Sequence, residues 1–113
     1  MLLGVGAAPE GVLAASALRC LGGELQCRFK FRNEEEQARA LKMGVTNPQK
    51  KMTQDDLVRS DDCLFIATGV TDGSLLRGVK FGAKSITTHS LIMRSKSRTL
   101  RFIETIHERK PAA

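Results

Sequence analysis

The sequence predicts an α/β fold with a parallel βαβ core and an antiparallel pair of strands at its C-terminal end. Three observations lead to this prediction: helix boundary signals in the first half, one compact apolar run typical of a buried strand, and two strand-like segments around a polar turn. The chain has 113 residues, 42% of them hydrophobic, which suffices for one domain with a modest core. We expect one structured region over 1–109 and a disordered tail over 110–113.

The first part of the chain contains signals for a helix and a strand. Residues Met1–Ala8 resemble the end of a strand and the loop that follows it. Pro9 suits the first turn of a helix, which apolar residues at helical spacing continue to Leu21. Gly22 provides a left-handed cap. Polar and apolar residues then alternate over Glu24–Phe31, which is the pattern of a half-buried strand.

A second helix, a short helix and a buried strand follow. Asn33 is a good N-cap and three glutamates come directly after it, so we expect a helix from there to about Met43. Thr53 opens a short helix that ends near Val58. The run Cys63–Ala67 is apolar throughout and predicts a strand buried on both faces. Strand, helix and buried strand in this order predict the parallel βαβ unit.

The last third of the chain predicts a β-hairpin. Residues Ile86–Met93 and Thr99–Ile106 have strand character, and the polar segment Arg94–Arg98 fits the turn. Residues 77–113 also carry the charge surplus, since they contain nine Lys or Arg and only two acidic residues. A solvated basic face is the simpler interpretation, because basic and aromatic residues do not alternate and no nucleic-acid motif is present. We expect no nucleic-acid partner.

The composition favours a cytoplasmic protein. Cys20, Cys27 and Cys63 are odd in number and lack metal-ligand spacing, which is typical of thiols in a reducing compartment. The first residues lack the basic region and the long apolar run of a signal peptide. No apolar stretch approaches the roughly 20 residues that a membrane span needs. We therefore expect no membrane partner.

Two glycine-containing segments are the candidate binding sites. In Gly4–Gly11 a turn leads into a helix start, where backbone N–H groups and the helix dipole attract phosphate. Glu10 would repel a phosphate unless a cation lies between them, which makes it a candidate metal ligand. Spacing alone favours the alternative that Glu10 complements the helix dipole. Thr68 and Asp72 follow the predicted buried strand and could contact a sugar or a metal, or Asp72 could serve only the turn.

The remaining titratable candidates are predicted to be structural. His89 and His107 have no Cys, Asp or second His at ligand spacing. The pairs Asp55–Asp56 and Asp61–Asp62 occupy positions typical of capping and turn residues rather than of a catalytic pair.

Several motifs, taken in order, resemble the class II fructose-1,6-bisphosphatases and their bifunctional fructose/sedoheptulose-bisphosphatase relatives. The segments that carry the resemblance span nearly the whole chain: Gly4–Val12, Leu18–Gln26, Ala40–Val45, Asp56–Val58, Ala67–Val79 and Thr87–Arg94. The resemblance implies the C-terminal portion of such an enzyme, in a domain of the lithium-sensitive-phosphatase type of fold. It implies hydrolysis of the 1-phosphate of fructose 1,6-bisphosphate with Mg²⁺ or Mn²⁺, in gluconeogenesis or Calvin-cycle-type carbon metabolism.

The same resemblance implies residue roles and partners. Glu10 takes the position of a metal ligand in the family, and Ala7 takes that of a glycine that contacts substrate. An alanine there would be strained if the site needed a positive φ. Because the family's other metal carboxylates and most substrate contacts precede this segment, we expect the chain alone to be inactive. The implied partners are a sugar bisphosphate, the upstream segment of the same enzyme and, when it is complete, further copies in a homo-oligomer.

The alternative to an enzyme is a non-catalytic binding module. In that interpretation the glycine-rich loop binds an anion or a nucleotide, and the basic last third docks on a partner. A phosphatase assay with and without the upstream segment discriminates between the two.

Overall fold

The computed structural model describes residues 1–110, which group into two compact units, Met1–Ser60 and the residues from Asp61 onward. The first unit contains three helices and a pair of two-residue strands, and the second contains a four-stranded sheet. The predicted region 1–109 includes both units, while the predicted tail lies, apart from Lys110, outside the described residues. Within residues 1–110 no helix has both the length and the apolar character that crossing a lipid bilayer requires.

Helix α1 spans Ala8–Leu21, which confirms the first predicted helix. Pro9 lies in its first turn, where a missing N–H costs no hydrogen bond. The helix ends at Gly22, whose φ of 77° is in the left-handed region that glycine adopts without strain. Residues 1–7, predicted to end a strand, form neither helix nor strand, and their large apolar side chains are exposed.

Helix α2 spans Glu34–Lys42 and has the predicted N-cap. The side chain of Asn33 accepts a 2.9 Å hydrogen bond from the backbone N–H of Glu36. A cap of this kind stabilises a helix by about 1 kcal/mol. The chain then turns at Gly44, whose φ is 100°. Asn33 and Gly44 therefore mark the two ends of the second helix as predicted, because each acts on the helical turn beside it.

Helix α3, Gln54–Leu57, is short but has several side-chain contacts. Asp56 accepts a 2.9 Å hydrogen bond from the backbone N–H of Thr53, as in a capping box. Asp55 accepts a hydrogen bond from the guanidinium of Arg19 on α1. The predicted short helix and the structural role of these two aspartates are confirmed.

The predicted strand Glu24–Phe31 is much shorter in the structure. Only β1, Gln26–Cys27, forms a ladder, and it pairs antiparallel with β2, Met52–Thr53. Phe29 and Phe31 instead stack on each other, with ring centroids 5.4 Å apart. A two-residue strand has too few N–H and C=O groups to pair with a longer parallel strand. The first strand of the predicted βαβ unit is therefore missing.

The second unit is an antiparallel sheet built around one long strand. Strand β5, Ser85–Arg94, pairs along its whole length with β6, Thr99–Glu108, which confirms the predicted antiparallel C-terminal pair. The other edge of β5 pairs with β3, Leu64–Thr68, and with the unpredicted two-residue strand β4, Lys80–Phe81. Every strand pairing within residues 1–110 is antiparallel, so the prediction of a parallel βαβ core is wrong.

Contacts at one end of both strands explain why β3 pairs with β5. The hydroxyl of Ser95 accepts a hydrogen bond from the N–H of Cys63 and donates one to the carbonyl of Asp61, both at 2.8 Å. Asp62 accepts two hydrogen bonds from the guanidinium of Arg94, at 2.8 and 2.6 Å. Because these contacts join the start of β3 to the end of β5, the two strands must run antiparallel. They also confirm a structural role for the carboxylate of Asp62.

One face of this sheet carries several exposed apolar side chains among polar ones. Strand β3, predicted to be buried on both faces, alternates between half-buried and exposed residues, so that prediction is wrong. Leu64 and Ile66 on β3 are 59% and 63% exposed, and Phe81 on β4 is 73% exposed. The strand register places the following apolar residues on this one face: Leu64, Ile66, Phe81, Ile86, Ile92 and Ile103. Leu64, Ile66, Ile92 and Ile103 lie together, whereas Phe81 and Ile86 form a separate pair beyond polar residues of the same face. An exposed apolar cluster of this kind is typical of an interaction surface.

Candidate functional site

The first candidate site lies at the N-terminal end of α1. Ala7 is the N-cap residue and makes no side-chain hydrogen bond to the helix. Residues 4–10 are all exposed. Uncapped N–H groups at a helix start carry a partial positive charge and bind anions. The local geometry therefore suits the phosphate binding that the sequence predicts, and this binding stays a prediction.

Glu10 lies in the first turn of this helix. It is exposed, and within residues 1–110 its carboxylate forms no hydrogen bond or ion pair. A cation such as Mg²⁺ or Mn²⁺ needs about six oxygen ligands. Nowhere in the described part of the chain do three His, Cys, Asp or Glu side chains come close enough together to hold a metal ion. These residues alone therefore do not fit such a cation, and the role of Glu10 as a ligand stays a prediction.

The backbone at Ala7 is unstrained. Its φ of −76° and ψ of 164° are extended values that any residue adopts. The strain that a positive φ would impose on an alanine is therefore absent. A backbone contact between Ala7 and a substrate is compatible with this conformation, and it stays a prediction.

The second candidate site is the loop between β3 and β4, where polar side chains bond to one another. Asp72 accepts hydrogen bonds from the N–H of Gly78 at 2.8 Å and from the ammonium of Lys80 at 3.1 and 3.2 Å. The Gly78 N–H first, and then the Lys80 ammonium, hold the pKa of the Asp72 carboxyl below its ordinary value of 3.8. Thr68 shares a 2.8 Å hydrogen bond with the hydroxyl of Ser90. The contacts of Asp72 favour the turn role over ligand contact.

Two glycines allow this loop to fold closely on itself. A Cβ on Gly69 would lie 2.1 Å from the carbonyl oxygen of Arg77, and a Cβ on Gly78 would lie 2.7 Å from the backbone of Thr71. The N–H of Gly69 donates to the carbonyl of His89 at 3.0 Å, which fixes the loop to the sheet. Side chains larger than hydrogen are excluded at both glycine positions, so the loop is closed by its own backbone.

Both histidines have structural contacts, as the sequence predicts. His89 accepts a hydrogen bond at Nδ1 from the backbone N–H of Arg77, at 2.9 Å, and its ring stacks on Phe102 with centroids 5.6 Å apart. The Nε2 atom of His107 lies 3.5 Å from the hydroxyl of Thr88. These contacts link the loop before β4 to β5, and β5 to β6.

The structure also brings together side chains that no sequence signal grouped. A cleft of about 250 Å³ opens in the second unit, and its lining residues are Arg77, Gly78, Lys80, Thr87, Thr88, His89 and Glu104. These residues come from β4, β5, β6 and the loop before β4, so only the strand register unites them. In the sequence, Arg77 and Lys80 are two of the nine basic residues over 77–113, and no motif links them to His89 or Glu104.

Comparison with known proteins finds relatives along almost the whole chain. The profile of a family described as bacterial fructose-1,6-bisphosphatase, glpX-encoded, matches residues 1–107. A D-fructose 1,6-bisphosphatase class 2/sedoheptulose 1,7-bisphosphatase of Synechococcus sp. (strain JA-3-3Ab) is 44% identical over 118 aligned positions, which cover 94% of this chain and 34% of the relative. Proteins of the same name from Synechococcus sp. (strain JA-2-3B'a(2-13)) and Synechococcus elongatus (strain ATCC 33912 / PCC 7942 / FACHB-805) are 44% and 39% identical with the same coverage. The chain spans about a third of the length of these curated relatives.

Proposed function

Because this chain belongs to the glpX-encoded bacterial fructose-1,6-bisphosphatase family, we propose that it is the C-terminal portion of a metal-dependent phosphatase that hydrolyses the 1-phosphate of fructose 1,6-bisphosphate. The observation that carries the proposal is the family match over residues 1–107, which includes both glycine-containing segments. The relatives are also named for sedoheptulose 1,7-bisphosphate, so this second sugar bisphosphate is a candidate substrate. The reaction belongs to cytoplasmic carbon metabolism of the gluconeogenic or Calvin-cycle type.

In this proposal Glu10 supplies one oxygen ligand to Mn²⁺ or Mg²⁺. Two observations support the role: the carboxylate has no other partner within residues 1–110, and it lies beside an uncapped helix start. A carboxylate next to exposed N–H groups suits a cation and a phosphate that bind side by side. The remaining oxygen ligands come from polypeptide outside the described residues, since no group of metal-ligating side chains is present among them.

The exposed apolar side chains on one face of the sheet support the participation of further polypeptide. Leu64, Ile66 and Phe81 would leave more than half of their surfaces in water if nothing else covered them. Patches of this kind are usually covered by another domain or subunit. We expect the upstream part of the enzyme and the other copies in a homo-oligomer to provide that cover, within a fold of the lithium-sensitive-phosphatase type. The chain alone is then inactive.

A chimeric enzyme tests this proposal. The 113-residue chain replaces the corresponding third of the relative from strain JA-3-3Ab, and phosphate release is measured from fructose 1,6-bisphosphate and sedoheptulose 1,7-bisphosphate with Mn²⁺ or Mg²⁺. We expect turnover by the chimera that a chelator abolishes, and none by the chain alone.

The unmodified relative and a thermal melting curve of the chimera are the controls. A chimera that melts cooperatively but releases no phosphate, beside an active relative, would contradict the proposal. Chelator-sensitive turnover by the chain alone would show that it already contains a complete site.

A further inference from the structure

We propose that the cleft in the second unit binds a phosphate group, either as the free ion or as a phosphate monoester. The proposal goes beyond the phosphatase function, which assigns no role to the residues of this cleft. The volume of about 250 Å³ lies just below the range of about 300–1,000 Å³ typical of drug-sized ligands. A small anion, or the phosphate end of a larger molecule, fits a cleft of this size.

The strand register defines the arrangement of the cleft. Lys80 on β4 lies opposite Thr87 on β5, and His89 on β5 lies opposite Glu104 on β6. Directly opposite residues of antiparallel strands project from the same face, and positions 87 and 89 are two residues apart, so all four side chains share one face. Arg77 joins them because its backbone N–H bonds to Nδ1 of His89 at 2.9 Å. Two basic, two polar and one acidic side chain therefore converge.

His89 offers a hydrogen-bond donor in a fixed direction. Because Nδ1 accepts the N–H of Arg77, a neutral ring carries its proton on Nε2. Stacking on Phe102, with ring centroids 5.6 Å apart, holds the plane of the ring. Within residues 1–110 the Nε2 atom has no hydrogen-bond partner. His89, which lines the cleft, thus has an oriented N–H donor that is unused within the described part of the chain.

Further donors in the cleft are also incompletely used. The hydroxyl of Thr87 makes no hydrogen bond within the described part of the chain. The guanidinium of Arg77 contacts Glu104 at 3.4 Å, which is long compared with the usual 2.7–2.9 Å of a charge-assisted hydrogen bond. Most of the five N–H donors of Arg77 therefore remain for a ligand. A tetrahedral oxyanion has enough acceptor oxygens for donors from all three side chains.

The charges around the cleft balance, so an anion binds there only if it replaces a carboxylate at one of the two cations. Arg77 and Lys80 are the cations, Glu104 is the carboxylate in the cleft, and Asp72 pairs with Lys80 at 3.1 Å from the adjoining loop. A ligand must compete with Glu104 for Arg77. A phosphate can carry two charges and accept two parallel hydrogen bonds from one guanidinium, so it competes better than a single carboxylate at a long distance.

Titration of the 113-residue chain with inorganic phosphate, followed by ¹H–¹⁵N NMR, tests this proposal. A parallel titration with sodium chloride at matched ionic strength controls for screening of surface charges. We expect saturable shifts centred on the amides of Gly78, Lys80, Thr87 and His89, with a Kd on the order of 1 mM for so exposed a site. Shifts that fail to saturate, or that chloride reproduces, would overturn the proposal.

Two arginine variants provide a matched comparison. Arg98 lies in the turn between β5 and β6, and within residues 1–110 its side chain forms no hydrogen bond or ion pair. Arg77→Gln should raise the Kd for phosphate at least about tenfold, since hydrogen bonds to charged groups are individually strong. Arg98→Gln removes the same charge and should leave the Kd nearly unchanged. An equal loss of affinity in both variants would show non-specific attraction and overturn the proposal.

Glu104→Gln should change the affinity in the opposite direction. Removal of the carboxylate that competes for Arg77 should lower the Kd severalfold, which a purely structural Arg77–Glu104 pair does not predict. Weaker binding by this variant would contradict the proposed competition.

Fructose 6-phosphate, titrated in parallel, distinguishes a monoester from the free ion. Tighter binding than inorganic phosphate at the same amides would identify a monoester site, and equal or weaker binding would identify a site for the free ion. If neither ligand shifts these amides, the cleft binds no phosphate, while the chimera assay remains a separate test of the phosphatase function.

Discussion

Two short glycine-containing segments of this chain each carry a carboxylate, yet they are built in opposite ways. In Gly4–Gly11 the helix start has no side-chain cap and the carboxylate of Glu10 has no partner within residues 1–110. In the loop after β3, Asp72 bonds to the N–H of Gly78 and to Lys80. A carboxylate that satisfies the N–H groups of its own loop stabilises the fold. A carboxylate without such partners is available to a ligand, and this difference separates the two segments.

The largest expected effect is on stability and comes from filling the closed loop. Gly69→Ala places a Cβ 2.1 Å from the carbonyl oxygen of Arg77, which belongs to the backbone and cannot rotate away. We expect a loss of about 2–4 kcal/mol in the free energy of unfolding, measured by urea denaturation. Gly4→Ala is the matched control, because nothing lies within 4 Å of its added Cβ. Similar losses in both variants would show that the loop around Gly69 is no more tightly packed than the segment around Gly4.

A smaller effect is expected from acid. The pKa of Asp72 is lowered in the folded chain, chiefly by the Gly78 N–H and then by Lys80. A carboxyl group with a lowered folded pKa contributes stability above its unfolded pKa, and this contribution is lost as the pH falls through the folded pKa. Asp72→Asn should therefore lower the urea midpoint at pH 7 and reduce the further loss that acid causes below about pH 4. Unchanged midpoints at both pH values would show that Asp72 does not hold the loop.

The smallest effect is expected at the open segment. Ala7→Gly introduces the glycine that the family resemblance implies at this position. The φ of −76° is accessible to both residues, and glycine is the better N-cap but has more backbone entropy to lose. We therefore expect the free energy of unfolding to change by no more than about 1 kcal/mol. Thermal melting of the two forms provides the measurement. A larger stabilisation would indicate that the backbone at Ala7 is strained.

The sequence predicted those features whose chemistry lies within a few residues. Pro9 and Gly22 mark the ends of α1, and Asn33 marks the start of α2, because caps and breakers act on the adjacent turn. The same local logic placed Glu10 at a helix start. It could not show that Glu10 lacks hydrogen-bond partners among residues 1–110 while Asp72 has them, because those partners are fixed only when the loop closes.

The pairing of strands depended on contacts that are distant in the sequence. Cys63–Ala67 looked like a strand buried on both faces, and a preceding helix favoured a parallel neighbour. The deciding contacts are those of Asp62 with Arg94 and of Cys63 with Ser95, which no local pattern connects. The cleft around His89 escaped detection for the same reason, because its residues meet only through the register of β4, β5 and β6.

Neutralising the two carboxylates in the chimeric enzyme tests the central claim most directly. Glu10→Gln and Asp72→Asn each remove one charge and keep a similar shape. Glu10→Gln should lower kcat by at least roughly a hundredfold at limiting Mn²⁺, with a nearly unchanged melting curve, and excess Mn²⁺ should restore part of the rate. Asp72→Asn should lower the melting temperature and leave turnover near that of the chimera. Equal turnover of the chimera and its Glu10→Gln variant at limiting Mn²⁺ would contradict the account, as would a loss of turnover in Asp72→Asn without a loss of stability.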